Sequence, residues 1–161
     1  MTTNSAESEL ARFREATYDR FQRLMPANDL TLIILKGHLL VEEQMNKFIE
    51  ASLGEAGDAF SKLNLPFSRK LRFARELHRP KEAFASTWSL VKELNDLRND
   101  IAHNPETPNL DQQCADFVEK CSPEPTDLGP DVASRLLKTI GNIVACVAGL
   151  RFGREIMMGT R

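Results

Sequence analysis

The chain reads as all-α, a single-domain antiparallel bundle of about five to seven helices. Two observations predict this. Apolar residues recur at spacings of three and four over long segments, and no stretch alternates with the two-residue period of a strand. The segments between them are mostly short and punctuated by Pro or Gly, which favours antiparallel neighbours.

The first helix is expected from about Ser5 to Met25, with Asn4 and Glu7 as a capping box and Pro26 as its stop. Its apolar positions Leu10, Phe13, Thr17, Phe21 and Leu24 keep the helical spacing. Asn28 or Asp29 can cap a second helix that runs to Leu53 and ends at Gly54. GEAGDAFSKLNLP reads as a connection. Ser68 then caps a short basic helix, SRKLRFARELHR, that stops before Pro80. The next helix starts between Lys81 and Ser86 and ends near His103. NPETPNL is a turn, and a helix follows over Asp111 to Lys120. SPEPTDLGP is a proline-rich link, and the last helix starts near Pro130 and runs to about Ile156. The layout is thus an N-terminal helix (1–27), a core segment (28–104), a link (122–130) and a C-terminal core helix (131–157). That last helix is apolar nearly all round and carries Gly141, Ala145, Ala148 and Gly149, so it is buried on several sides, centrally or against a second subunit.

With 161 residues the chain can bury a sizeable core. Apolar residues at 42% and charged residues at 27% exclude a disordered chain. A net charge of −2 gives no global case for nucleic-acid binding, so any such case needs a local basic patch. The three cysteines form no CxxC pair and no metal-ligand spacing, and read as free thiols of a reducing compartment. The N-terminal MTTNSAESELARFRE lacks an apolar signal core, and the apolar run from Ile140 to Leu150 is short for a membrane span. A cytoplasmic protein without membrane contact, metal or cofactor is expected.

One segment, LNDLRNDIAHNP (94–105), carries chemistry. At about 100° per residue, Leu90, Leu94, Leu97 and Ile101 share one arc and face the core. Lys92, Glu93, Asp96 and Asp100 form a solvent face. A third arc holds Trp88, Val91, Asn95, Arg98, Asn99, Ala102 and His103, apolar above and polar below. Two such faces suggest a core on one side and a partner or groove on the other, with Asn95 and Ala102 permitting close approach. Asn99 and His103 are an i,i+4 pair, in which the amide can orient the imidazole. Arg98 and His103 stand about 140° apart on an ideal helix. To act on one group, His103 must sit on an unwinding end, which Asn104-Pro105 favours, or a second chain must supply the missing member.

Arg98-Asn99-Asp100-Ile101-Ala102-His103 resembles the signature of the HEPN superfamily, R-x(4–6)-H with a polar residue after the Arg, at the end of a helix in a small all-α domain. The flanking LNxLRNxxAHN is similar to small bacterial members, and KGHLLVEEQMNKFI fits the same layout. The bare spacing is unspecific, because Arg72 to His78 also fits R-x(5)-H; that match lacks the polar residue and sits on the basic helix. The resemblance implies a homodimer formed through the motif helix, and in catalytic members a metal-independent ribonuclease, among them toxins and defence effectors with a cognate antitoxin or regulatory partner. His103 would then be the acid/base group, Arg98 the phosphate clamp and Asn99 the orienting residue. Other members, such as the mannitol repressor-like proteins, keep the fold for binding alone. One group of toxins carries a modified Tyr two residues after the motif His; here that position is Pro105, which speaks against that mode of silencing. The plainest alternative has His103 merely interacting with the helix C-terminus.

Supporting residues are expected from the second helix. Leu32, Leu35, Leu39, Glu42, Asn46, Ile49 and Leu53 keep helical spacing, so Glu42 stands within an apolar stripe. It either pairs with Arg98, with His38 one turn away, or reaches solvent at the stripe edge. Asn95 belongs to the same group. Arg72, Arg75 and Arg79, with Arg69 and Lys81 nearby, form one cationic face that either tracks an RNA backbone or is simply solvated. The lone Tyr18 and the lack of an aromatic cluster argue against a base-stacking platform.

Overall fold

The structure, a computed structural model, describes residues 3–26, 28–79, 84–104, 106–121 and 129–157. Their regular structure is entirely helical: α1 (Thr3–Leu24), α2 (Leu30–Leu53), a 3-10 turn (Gly54–Ala56), α3 (Gly57–Ser61), α4 (Phe67–Leu77), α5 (Ala85–His103), α6 (Leu110–Cys121) and α7 (Val132–Met157). Pro105, Lys81 and residues 122–128 of the proline-rich link lie outside the described residues.

Local chemistry sets most boundaries. Asp29, in extended conformation, accepts the Leu32 N–H at 2.9 Å and so caps α2. Gly54 ends that helix at φ 57°, a conformation a side chain would resist. Asp131 caps α7 through the backbone N–H and hydroxyl of Ser134, each at 2.8 Å. These bonds, the backbone one first, hold its carboxyl below the ordinary carboxylate range. Three expectations change. Asn4 lies inside α1 rather than capping it. Pro66, with its fixed φ, precedes the first turn of α4, and Ser68 is already helical without a capping bond. GEAGDAFSKLNLP contains α3, which packs back on α2 so closely that a Cβ on Gly57 would lie 2.7 Å from the Glu50 carbonyl oxygen.

The core is built around α2 and α7. Gly37 meets Ile140, Gln44 Oε1 accepts from Arg151, and Ser52 Oγ accepts from Arg154. Residue numbers therefore rise together along the contact, and the two central helices run parallel. α1 runs antiparallel to α2, as Arg20 with Glu43 and Leu24 with Lys36 show, whereas His38 with Phe67 and Glu42 with Lys70 set α4 parallel to α2. The parallel pair departs from the expected all-antiparallel bundle. Short connections impose antiparallel packing only on sequential helices, and α2 and α7 are far apart in sequence.

The expected apolar stripe of α2 is also corrected. Ile33, Ile34, Gly37, Leu40, Val41, Gln44, Met45 and Phe48 are buried, whereas Leu32 and Leu39 are exposed, Leu39 at 62%. A helix this apolar offers more than one regular stripe, and the small Gly37 decided which one faces α7. On α7, Gly141 admits the rings of Tyr18 and Phe21 from α1. This helix is long and apolar enough to cross a membrane by length and composition, yet 56% of its most apolar window is buried inside the bundle. It is thus central among the described helices. Cys114, Cys121 and Cys146 are free thiols.

Candidate functional site

Side chains from α2, α4 and α5 converge beside the motif. His38 is buried and donates from Nε2 to Asn95 Oδ1 at 3.1 Å. Its ring lies against Phe67, the first residue of α4, with centroids 4.3 Å apart. Burial pushes the His38 pKa below its ordinary value; the Asn95 bond and Glu42 oppose this shift, and Arg98 assists it. A neutral imidazole that donates to an amide oxygen fits that balance. Glu42 takes neither of its expected partners. Lys70 on α4 reaches it at 2.8 Å, with both side chains largely buried (16% and 23% exposed). Nothing in the sequence links residues 28 positions apart, so neither Lys70 nor Phe67 was identified from it.

The motif residues divide. Arg98 and Asn99 are half-buried, and Arg98 Nη1 donates to Asn99 Oδ1 at 3.1 Å. The Asn99 amide, expected to orient His103, gives its oxygen to the adjacent guanidinium. His103 and Ala102 are exposed. The helix stays regular through His103, closed by Asn104 N–H to the Asp100 carbonyl at 3.0 Å, and leaves helical angles only at Asn104 (φ −130°, ψ 87°). Proline constrains the residue immediately before it, which is Asn104 and not His103. Unwinding therefore does not bring His103 round to Arg98, and the separation of about 140° holds within one subunit.

The second face of α5 is only partly open. Trp88 and Val91 are core residues, Trp88 lying 6.0 Å from the Phe48 ring, and Asn95 is engaged by His38 of the same chain. Asn95 thus spends its oxygen within the chain, while its side chain also lines the cavity between α4 and α5. At its lower end Ala102 and His103 are exposed.

The three arginines also separate. Arg72 and Arg75, on α4, line an open cavity of about 520 Å³ between α4 and α5, with Phe67, Leu71, Trp88, Lys92, Asn95 and Asp96. Lys92 and Asp96, assigned to the solvent face, are a 2.5 Å ion pair on its rim. Arg79 does not join them. The helix ends at Leu77, His78 turns extended, and Arg79 Nη1 donates to the His78 carbonyl at 3.1 Å. It lines a separate cavity with Phe48 and Arg154. His78, from the second R-x(5)-H match, is buried among Phe48, Phe84 and Trp88. Burial, then Arg154 and Arg79, lower its pKa.

Among the described residues no three His, Cys, Asp or Glu side chains are grouped to hold a metal ion. The arrangement can offer a fixed cation (Arg98), an exposed imidazole (His103) and a donor-rich cavity one turn away. Compared with known proteins, the chain matches no family model, and no curated protein or solved structure matches it.

Proposed function

We propose that the chain is a metal-independent endoribonuclease of HEPN type, acting as a homodimer whose two α5 ends form one site. The observation that carries this reading is the division of the motif. Arg98 and His103 stand at the open end of one helix yet on faces about 140° apart, so one subunit cannot aim both at one phosphate. A two-fold-related copy supplies the missing member. The exposed Leu32 and Leu39 of α2, together with exposed Ala102, provide apolar surface for such a contact.

In this reading the 2′-oxygen attacks the neighbouring phosphorus and the 5′-oxygen leaves, giving a 2′,3′-cyclic phosphate and a 5′-hydroxyl. One proton leaves the 2′-hydroxyl and one reaches the 5′-oxygen. His103 takes the first proton and delivers the second. Arg98 stabilises charge on the phosphate oxygens, held in place by Asn99. His38, which senses the Arg98 charge, is held by Asn95, and in this reading His38, Asn95 and Glu42 act as positioning residues. Such a protein fits the cytoplasm and a role as toxin or defence effector under a regulatory partner.

Purified protein in EDTA should cleave RNA, and His103→Ala should abolish cleavage while light scattering still finds a dimer. A monomeric wild type, or equal cleavage by the variant, would sink the proposal. One observation favours a second reading, a binding module of the mannitol repressor-like kind. Arg98 is already bonded to Asn99 and lies near the buried His38, as a structural residue would. That reading expects a dimer, no turnover, and a loss of stability in Arg98→Ala.

A further inference from the structure

We propose that the groove between α4 and α5 seats one nucleotide of a single-stranded RNA that continues along α5 to His103. The identity of the strand rests on the ribonuclease reading above; the groove and its chemistry do not. Three features carry the inference.

The first is direction. Taking Trp88 as zero and about 100° per residue, Asn95, Asn99, Lys92, His103 and Asp96 all fall within an arc of about 100°. The face of α5 that lines the groove is therefore the face that ends at His103. Asn95 and His103 are eight residues apart in a regular helix, roughly 12 Å at 1.5 Å per residue, so one strand can touch both.

The second is the surplus of donors. The Trp88 indole is 1% exposed, and its Nε1 finds no acceptor among the described residues. A buried N–H without an acceptor is rare and calls for one. Asn95 spends its oxygen on His38, which leaves its NH2 group on the groove side to donate. Arg72 and Arg75 add guanidinium donors along the α4 wall. The carboxylates of Glu76 and Asp96 also line the cavity, so a fitting ligand carries acceptors and some donors, and a nucleotide supplies base carbonyls, ring nitrogens, amino groups and phosphate oxygens together.

The third is shape. The floor is apolar, formed by Phe67, Leu71 and Trp88, and the cavity of about 520 Å³ is large enough for a single nucleotide. Base on the floor and phosphate on Arg72 and Arg75 is the arrangement that matches the apolar floor and the cations of α4. Because the chain holds a single Trp, its fluorescence reports on the surroundings of Trp88, which borders this groove.

The test is a titration of the full chain with a 2′-O-methyl oligoribonucleotide, which cannot be cleaved, followed by Trp88 fluorescence and by anisotropy of an end label. Wild type should show saturable changes in both with the same midpoint. Arg72→Glu/Arg75→Glu should weaken binding tenfold or more, and should reduce the slope of log Kd against log salt by about 0.7, the value for one phosphate contact on a single strand. Arg12→Glu/Arg23→Glu, an equal charge change on α1, should leave both unchanged. Anisotropy that saturates while Trp88 stays silent, or equal weakening by the two charge reversals, would overturn the groove. Cleavage in EDTA that survives Arg72→Glu/Arg75→Glu at wild-type KM would also overturn it and leave the ribonuclease reading standing. Groove binding by a wild type that never cleaves would uphold the groove and remove the ribonuclease. An acidic peptide that competes as well as the oligonucleotide would overturn the nucleotide assignment.

Discussion

Replacing Gly37 by Ala tests the parallel contact at the centre of the fold. In an open helix this change is favourable by about 1 kcal/mol, because Ala loses less backbone entropy. Here the added Cβ would stand 2.5 Å from Ile140 Cγ2 and 3.3 Å from its Cδ1. Ile140 is fully buried, and a β-branched side chain in a helix has essentially one χ1 rotamer, so it cannot swing away. Forcing a methyl into such a site costs about 1–3 kcal/mol. With the neighbour locked, the upper part of that range applies, and a net loss of about 1–2 kcal/mol results after the propensity gain. At about 2–4 °C per kcal/mol for a chain of this size, Tm falls by roughly 2–8 °C. Gly153→Ala is the matched control. Nothing lies within 4 Å of a Cβ there, so the same chemical change should raise Tm by a few degrees. Thermal melts followed by far-UV circular dichroism read both. A double-mutant cycle adding Ile140→Ala should show that the two sites are strongly non-additive. If Gly37→Ala raises Tm as Gly153→Ala does, α2 and α7 do not meet as described and the central packing is wrong.

Further outcomes follow from the same structure. His38 and His78 both have pKa values lowered chiefly by burial, so the unfolded chain takes up protons first as pH falls. Their contribution to stability is full above the unfolded imidazole pKa and is lost as pH drops through the lowered folded values; Tm should decline on acidification below about 6.5. In His78→Leu, which suits the Phe48, Phe84 and Trp88 surroundings, that decline should be shallower, and an unchanged pH profile would refute the assignment. Burial pushes the Cys114 and Cys121 thiols up to about 12, so both should resist Ellman's reagent at pH 8 in the folded protein and react fully in denaturant. Fast labelling of three thiols in the native state would contradict this burial. Asp29→Ala should destabilise by about 1 kcal/mol through loss of the α2 cap, measurable as a shift in urea midpoint with unchanged slope.

The sequence by itself determined what local chemistry controls. The all-helical class, the limits of α2 and the Leu94, Leu97 and Ile101 core face follow from caps, glycines and a 3.6-residue period, which act within a few residues of one another, whereas α7 starts at Val132 behind Asp131 and not at Pro130. The motif residues were legible for the same reason, as neighbours on one helix. Tertiary structure decided everything that depends on which face meets which. Two leucines of the α2 stripe came to lie outside because Gly37, not Leu39, fits against Ile140. Glu42 found Lys70 and His38 found Asn95 and Phe67 across helices that no spacing rule connects. Arg79 left the cationic face because α4 stops at Leu77. A period names the faces of each helix, but the choice among several apolar faces is made by side-chain fit between distant segments, and that information is not local to any of them.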